Sequence, residues 1–90
     1  MKTNPRLGAA FLEVVDNQIR DDDPPETRLT VKRLVGERFS ESDAKRLVAT
    51  VVAAETFWIM KRQEEFNLKR FVQNLNRLPA SPEEHFDPNK

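Results

Sequence analysis

The sequence predicts an all-α fold: one domain of four helices over about 5–19, 25–37, 41–62 and 68–78, with a long central third helix and a disordered tail over 80–90. Three observations carry this expectation. Apolar residues recur at three-to-four spacing in each stretch between breakers, and nowhere alternate as they would in a half-buried strand. Only 2 of the 90 residues are glycine, which leaves little turn chemistry for hairpins. The hydrophobic share, 38%, is low beside 33% charged residues, as in a thin bundle whose helices each show one stripe to the core and the rest to water. A chain of this length makes one domain with a single modest core.

The first helix has a clean start, with Asn4 as N-cap and Pro5 at the first helical position. Leu7, Phe11, Val14, Val15, Gln18 and Ile19 then fall on one face. Two prolines and three like charges in Arg20-Asp21-Asp22-Asp23-Pro24-Pro25 end it. Asp21 to Asp23 are read as an acidic loop beside the next helix, whose positive N-terminal end welcomes them, in preference to a cation site. The second helix turns Thr27, Val31, Leu34 and Val35 inward. The turn after it, Gly36-Glu37-Arg38-Phe39, is tight; a left-handed Arg38 would cost roughly 1 kcal/mol relative to glycine.

Ser40 and Asp43 form a shortened capping box for the third helix, with Phe39 as staple. Ala44, Leu47, Val48, Val51, Val52, Ala54, Trp58 and Ile59 make one broad stripe along roughly 33 Å of helix. Two features of this helix exceed a simple core. Glu55 projects into the middle of the stripe, and Ala49, Ala53, Phe57 and Met60 make a second, narrower apolar strip behind it. A helix apolar on two faces is central in its domain or paired with another chain. Asn67 caps the fourth helix, Phe66 can staple to Phe71, and Leu68, Phe71, Val72, Leu75 and Leu78 form its stripe before Pro79 closes it. The domain is thus expected over 1–79, with the tail and its lone histidine, His85, beyond.

Lys plus Arg equals Asp plus Glu at 15 each, so no whole-molecule field favours nucleic acid or a membrane surface. There is no cysteine, which excludes disulfides and thiolate metal sites. The N-terminal stretch is broken by charges and does not read as a secretory signal, and no run reaches the roughly 18 apolar residues of a membrane span. A cytoplasmic protein is the expectation. No Ser–His or Cys–His pairing and no glycine-rich phosphate loop points to catalysis, and no cofactor is implied.

What remains is local. Glu55 is the best candidate for acid–base or ligand chemistry, with Gln18 on the inward face of the first helix and Arg62 two turns further along the third. A satisfied polar contact that fixes helix register is the plainer reading of these three. Asp16, Asp43 and Glu55 are the acids available for a metal, a sparse set without a histidine. The corner between the second and third helices looks like a helix-turn-helix, with Lys45 and Arg46 at the start of the second element. Glu37, Glu41 and Asp43 surround that corner and oppose DNA binding.

Three blocks together resemble a family of small, uncharacterised helical bacterial proteins. They are Asn4-Pro5 with Val14-Val15-Asp16-Asn17-Gln18-Ile19 and Asp23-Pro24-Pro25-Glu26; Arg33-Leu34 with Phe39-Ser40 and Ala44; and Phe66 with Leu75-Asn76-Arg77-Leu78-Pro79. The resemblance implies a helical fold over nearly the whole chain up to Pro79. It also implies histidine pairs four apart on the first and third helices, able to hold a metal, where this chain has Gly8 and Leu12, and Ser42 and Arg46. A metal held by relatives would therefore be lost here. The leading expectation is a non-enzymatic interaction domain that self-associates through Ala49, Ala53, Phe57 and Met60; the alternative is a small-ligand or degenerate metal site around Glu55 and Gln18, and the third reading is weak DNA binding.

Overall fold

The computed structural model describes the backbone of residues 5–80 and the side chains of 8–80. Four helices fill that span: α1 (Pro5–Asp21), α2 (Pro25–Gly36), α3 (Glu41–Arg62) and α4 (Leu68–Arg77), with no strand among the described residues. The expected cap at Asn4, the side chain of Leu7, and the tail from residue 81 with His85 lie outside the described residues.

The helix ends follow from local chemistry. α1 runs two residues past the expected Ile19, because the left-handed turn falls at Asp22 (φ 50°). There the Asp22 N–H donates to the Ile19 carbonyl at 3.2 Å and the Asp23 N–H to that of Gln18 at 3.0 Å, which satisfies the last carbonyls. Arg28 of α2 then holds the Asp22 carboxylate at 2.9 Å. α2 stops at Gly36, one residue short of expectation, and Arg38 takes the left-handed conformation at φ 78°. Its N–H donates to Val35 and that of Phe39 to Leu34. Ser40 caps α3 as read from the sequence, its Oγ accepting the Asp43 N–H at 3.0 Å. Asn67 caps α4 in the same way, accepting the Arg70 N–H at 3.0 Å. α4 closes at Arg77, one residue early, where Leu78 turns extended.

α3 is the central element. It packs against each of the other three helices, α2 also touches α1 and α4, and α1 and α4 make no helix–helix contact among the described residues. Val15, Leu34, Val48, Val51, Phe71 and Leu75 form the fully buried heart, with Ala44 closing α3 against it. Side chains of this kind each contribute roughly 1.5–3 kcal/mol on burial.

Three inward assignments are corrected. Val14, Val35 and Leu68 are exposed, because the arc each helix buries is narrower than its apolar run. On α2 that arc is Thr27, Thr30, Val31 and Leu34, so Val35 rotates out to one side. Two threonines thus take core positions, and Thr27, fully buried, donates its hydroxyl to Gln18 Oε1 at 2.8 Å. Phe66 does lie against Phe71, ring centroids 5.4 Å apart.

Candidate functional site

Glu55 is buried at the corner where α3 passes into α4. Gln63, left-handed at φ 51°, ends α3 by donating its N–H to the Ile59 carbonyl, and the chain doubles back so that α4 begins beside Glu55. Arg70, one turn into α4, meets that carboxylate bidentately, Nε to Oε1 at 2.7 Å and Nη2 to Oε2 at 2.9 Å. The backbone N–H of Asn67 adds a third donor, 2.9 Å from Oε2. The remaining arm of Arg70, Nη1, reaches Glu64 at 2.6 Å. A paired, hydrogen-bonded geometry of this kind is what allows a carboxylate to sit inside a core. The hydrogen bonds that Arg70 donates to Glu55 raise its guanidinium above the ordinary arginine value, so it stays charged.

The predicted trio is not brought together. Arg62 lies seven residues beyond Glu55, about 10 Å along the helix axis, and cannot reach it; its guanidinium stacks on Trp58 instead, 4.6 Å from a ring centroid. Gln18 faces α2 and is held by Thr27. Glu55 is therefore the tie between α3 and α4, with both carboxylate oxygens engaged. Its partner lies 15 residues away across a loop. The one sequence signal for it is the cap at Asn67, which places position 70 on the first turn of α4.

The apolar strip on α3 divides. Ala49 is buried with the core, so it serves the fold of the chain itself and is corrected as an interaction residue, whereas Ala53 is half-buried. Phe57, 45% exposed, and Met60, 74% exposed, remain on the surface. The Phe57 ring stands edge-on to Trp58 with centroids 5.3 Å apart, and Lys61 Nζ lies 5.4 Å from the Phe57 centroid.

The other candidates are tied into the fold. Asp16 holds Lys45 at 3.0 Å, and Glu41 approaches the same ammonium at 3.4 Å, which joins α1 to the start of α3. Asp16, Asp43 and Glu55 are not gathered: among the described residues no group of three or more His, Cys, Asp or Glu could hold a metal ion. Of the two basic residues at the helix-turn-helix-like corner, Lys45 is occupied in this way and Arg46 is exposed. No helix among the described residues is long and apolar enough to cross a membrane.

One concavity went unforeseen. A groove of about 340 Å³ runs between the end of α1, the outer side of α2 and the start of α3, floored by Ile19, Val31 and Val35 and edged by Arg28, Lys32, Glu41 and Lys45. Treating Val35 as a core residue hid it; the clue was Arg28 and Lys32, one turn apart beside Val31 and Val35. No family model, curated protein or solved structure matches the chain.

Proposed function

We propose that the chain is a non-enzymatic, cytoplasmic interaction domain that self-associates through the C-terminal end of α3. One observation carries this reading: Phe57 and Met60 stand exposed one turn apart on the longest helix, beside the indole of Trp58. A rigid aromatic and a polarisable thioether that can adapt to it are the side chains from which protein contacts draw most of their energy. The half-buried Ala53, one turn earlier, lets a second helix approach closely. The engagement of Glu55 by Arg70 supports a structural rather than catalytic role for the buried acid.

Scale sets the strength. A stable interface covers about 800 Å² per partner, far more than two side chains supply, so the association is expected to be weak, with a dissociation constant on the order of micromolar. Sedimentation velocity across the micromolar range tests it. The mean mass should rise towards the dimer with concentration, and Phe57→Glu should hold it at the monomer. A monomer at high micromolar concentration, unchanged by Phe57→Glu, overturns the proposal.

A further inference from the structure

We propose that the outward face of α3 docks on the same face of a second copy of this chain, with the two helices antiparallel, so that Phe57 of each meets Arg46 of the other. The arrangement rests on the self-association inferred from Phe57 and Met60, and it fixes what those two side chains touch. Asp43, Arg46, Thr50, Ala53, Phe57 and Met60 follow one another at alternating steps of three and four residues. That is the 3.5-residue period of a coiled-coil seam, a line that stays against a facing helix over its whole length. Asp43, Arg46, Thr50, Phe57 and Met60 are exposed and Ala53 is half-buried, so the three helices packed on α3 leave this line open.

Charge decides the direction. Asp43 and Arg46 stand at the start of the seam and Lys61 beside its end, and none of the three has an ion-pair partner among the described residues. Lys61 rests over the Phe57 and Trp58 rings, its Nζ 5.4 and 5.7 Å from their centroids. A parallel pair would bring Arg46 to Arg46 and Lys61 to Lys61, with the helix dipoles unfavourably aligned. A pair joined only at Phe57 and Met60 would gather the two Lys61 ammonium groups in one place. The antiparallel pair removes each of these conflicts.

The seam then pairs layer by layer. Asp43 lies against the partner's Met60, with the partner's Lys61 beside it. Arg46 lies on the partner's Phe57, a cation over a ring face. Thr50 and Ala53 meet at the two-fold axis, where small side chains let the helices close. Thr50 Oγ1 already donates to the Leu47 carbonyl at 2.6 Å, so no unsatisfied hydroxyl enters the contact. Phe57 and Met60 thus meet the N-terminal half of the partner's α3, and the contact becomes a seam along most of the 22-residue helix.

The chain has no cysteine, so single introduced thiols in a glutathione buffer report which positions meet, beside sedimentation velocity at micromolar concentration. Full-length chains with Asp43→Cys mixed with chains carrying Met60→Cys should form a disulfide-linked dimer. Met60→Cys alone should not, because its two thiols would lie about 25 Å apart along the seam. Asp43→Lys alone and Lys61→Asp alone should each raise the dissociation constant roughly tenfold, since symmetry repeats the contact twice. The double variant Asp43→Lys/Lys61→Asp should restore it. Only a pair formed between chains can do so, because the two residues lie about 27 Å apart along their own helix. The Ser40 cap takes the Asp43 N–H and not its carboxylate, so these variants keep the fold, as circular dichroism checks. A dimer in which Met60→Cys links to itself, or in which the double variant stays weak, overturns the antiparallel arrangement and leaves self-association standing. A monomer throughout removes both.

Discussion

Arg70→Met is the sharpest perturbation the structure offers. It removes the guanidinium that faces Glu55 at 2.7 and 2.9 Å and leaves that carboxylate, 3% exposed, held by the Asn67 N–H. Stranding one member of a buried pair costs about 3–5 kcal/mol; the surviving hydrogen bond places this case near 3. Glu64, more than a third exposed, turns to water and adds less than about 1 kcal/mol. For a domain of this size each kcal/mol lowers Tm by roughly 4–8 °C, so the melt should fall by at least about 12 °C. The reverse change, Glu55→Gln, should cost less, about 1–2 kcal/mol, because Arg70 is 21% exposed and can keep Glu64. Replacing both residues with apolar ones should recover most of the loss, a coupling that a double-mutant cycle isolates. Urea unfolding followed together by far-ultraviolet circular dichroism and Trp58 fluorescence reads all of these, and coincident transitions validate the comparison. A loss below about 1 kcal/mol for Arg70→Met, or equal losses for the two single variants, would refute the buried-pair argument.

Ser40→Ala removes the oxygen that accepts the Asp43 N–H and should cost about 1 kcal/mol in urea unfolding, with α3 fraying at its start. Arg38→Gly relieves a left-handed arginine whose side chain is exposed and should raise stability by up to ~1 kcal/mol in the same assay. The hydrogen bond from Lys45 to Asp16 raises its ammonium above the ordinary lysine value of 10.5. A raised folded value means the contribution is fully present below that ordinary value and is lost only as pH rises through the folded one. Lys45→Met should therefore cost up to ~1 kcal/mol, equally at pH 7 and pH 9, and progressively less in strongly alkaline solution, as stability measurements across that range would show.

Helix count, order and caps were legible because they depend on neighbours in sequence. Ser40 and Asn67 each accept an N–H three residues ahead, and the left-handed Arg38 was visible as a turn without glycine at the required position. Contacts across loops were not legible. Glu55 had a plausible mate on its own helix, Arg62, but helical geometry keeps the two apart, and the real partner depends on how the chain turns at Gln63. Rotation was the other gap. The apolar runs of α1, α2 and α4 are wider than the arcs they bury, so periodicity did not separate Val35, which edges a groove, from Leu34, which is in the core. Ala49 erred in the opposite direction, because α3 is contacted from three sides and its second strip is half consumed by its own domain.

With 10 residues, α4 is shorter than the roughly 12–15 that even good helix formers need to persist alone in water. Both of its ends are held from elsewhere: Glu55 of α3 grips the Asn67 N–H and Arg70 at the start, and Arg33 of α2 grips the Leu75 and Leu78 carbonyls at the finish. Its helicity is thus a product of assembly rather than a contributor to it. Any event that parts α2 from α3 forces α4 to give up at least one of these clamps, so α4 behaves as a built-in gauge of whether the domain is assembled.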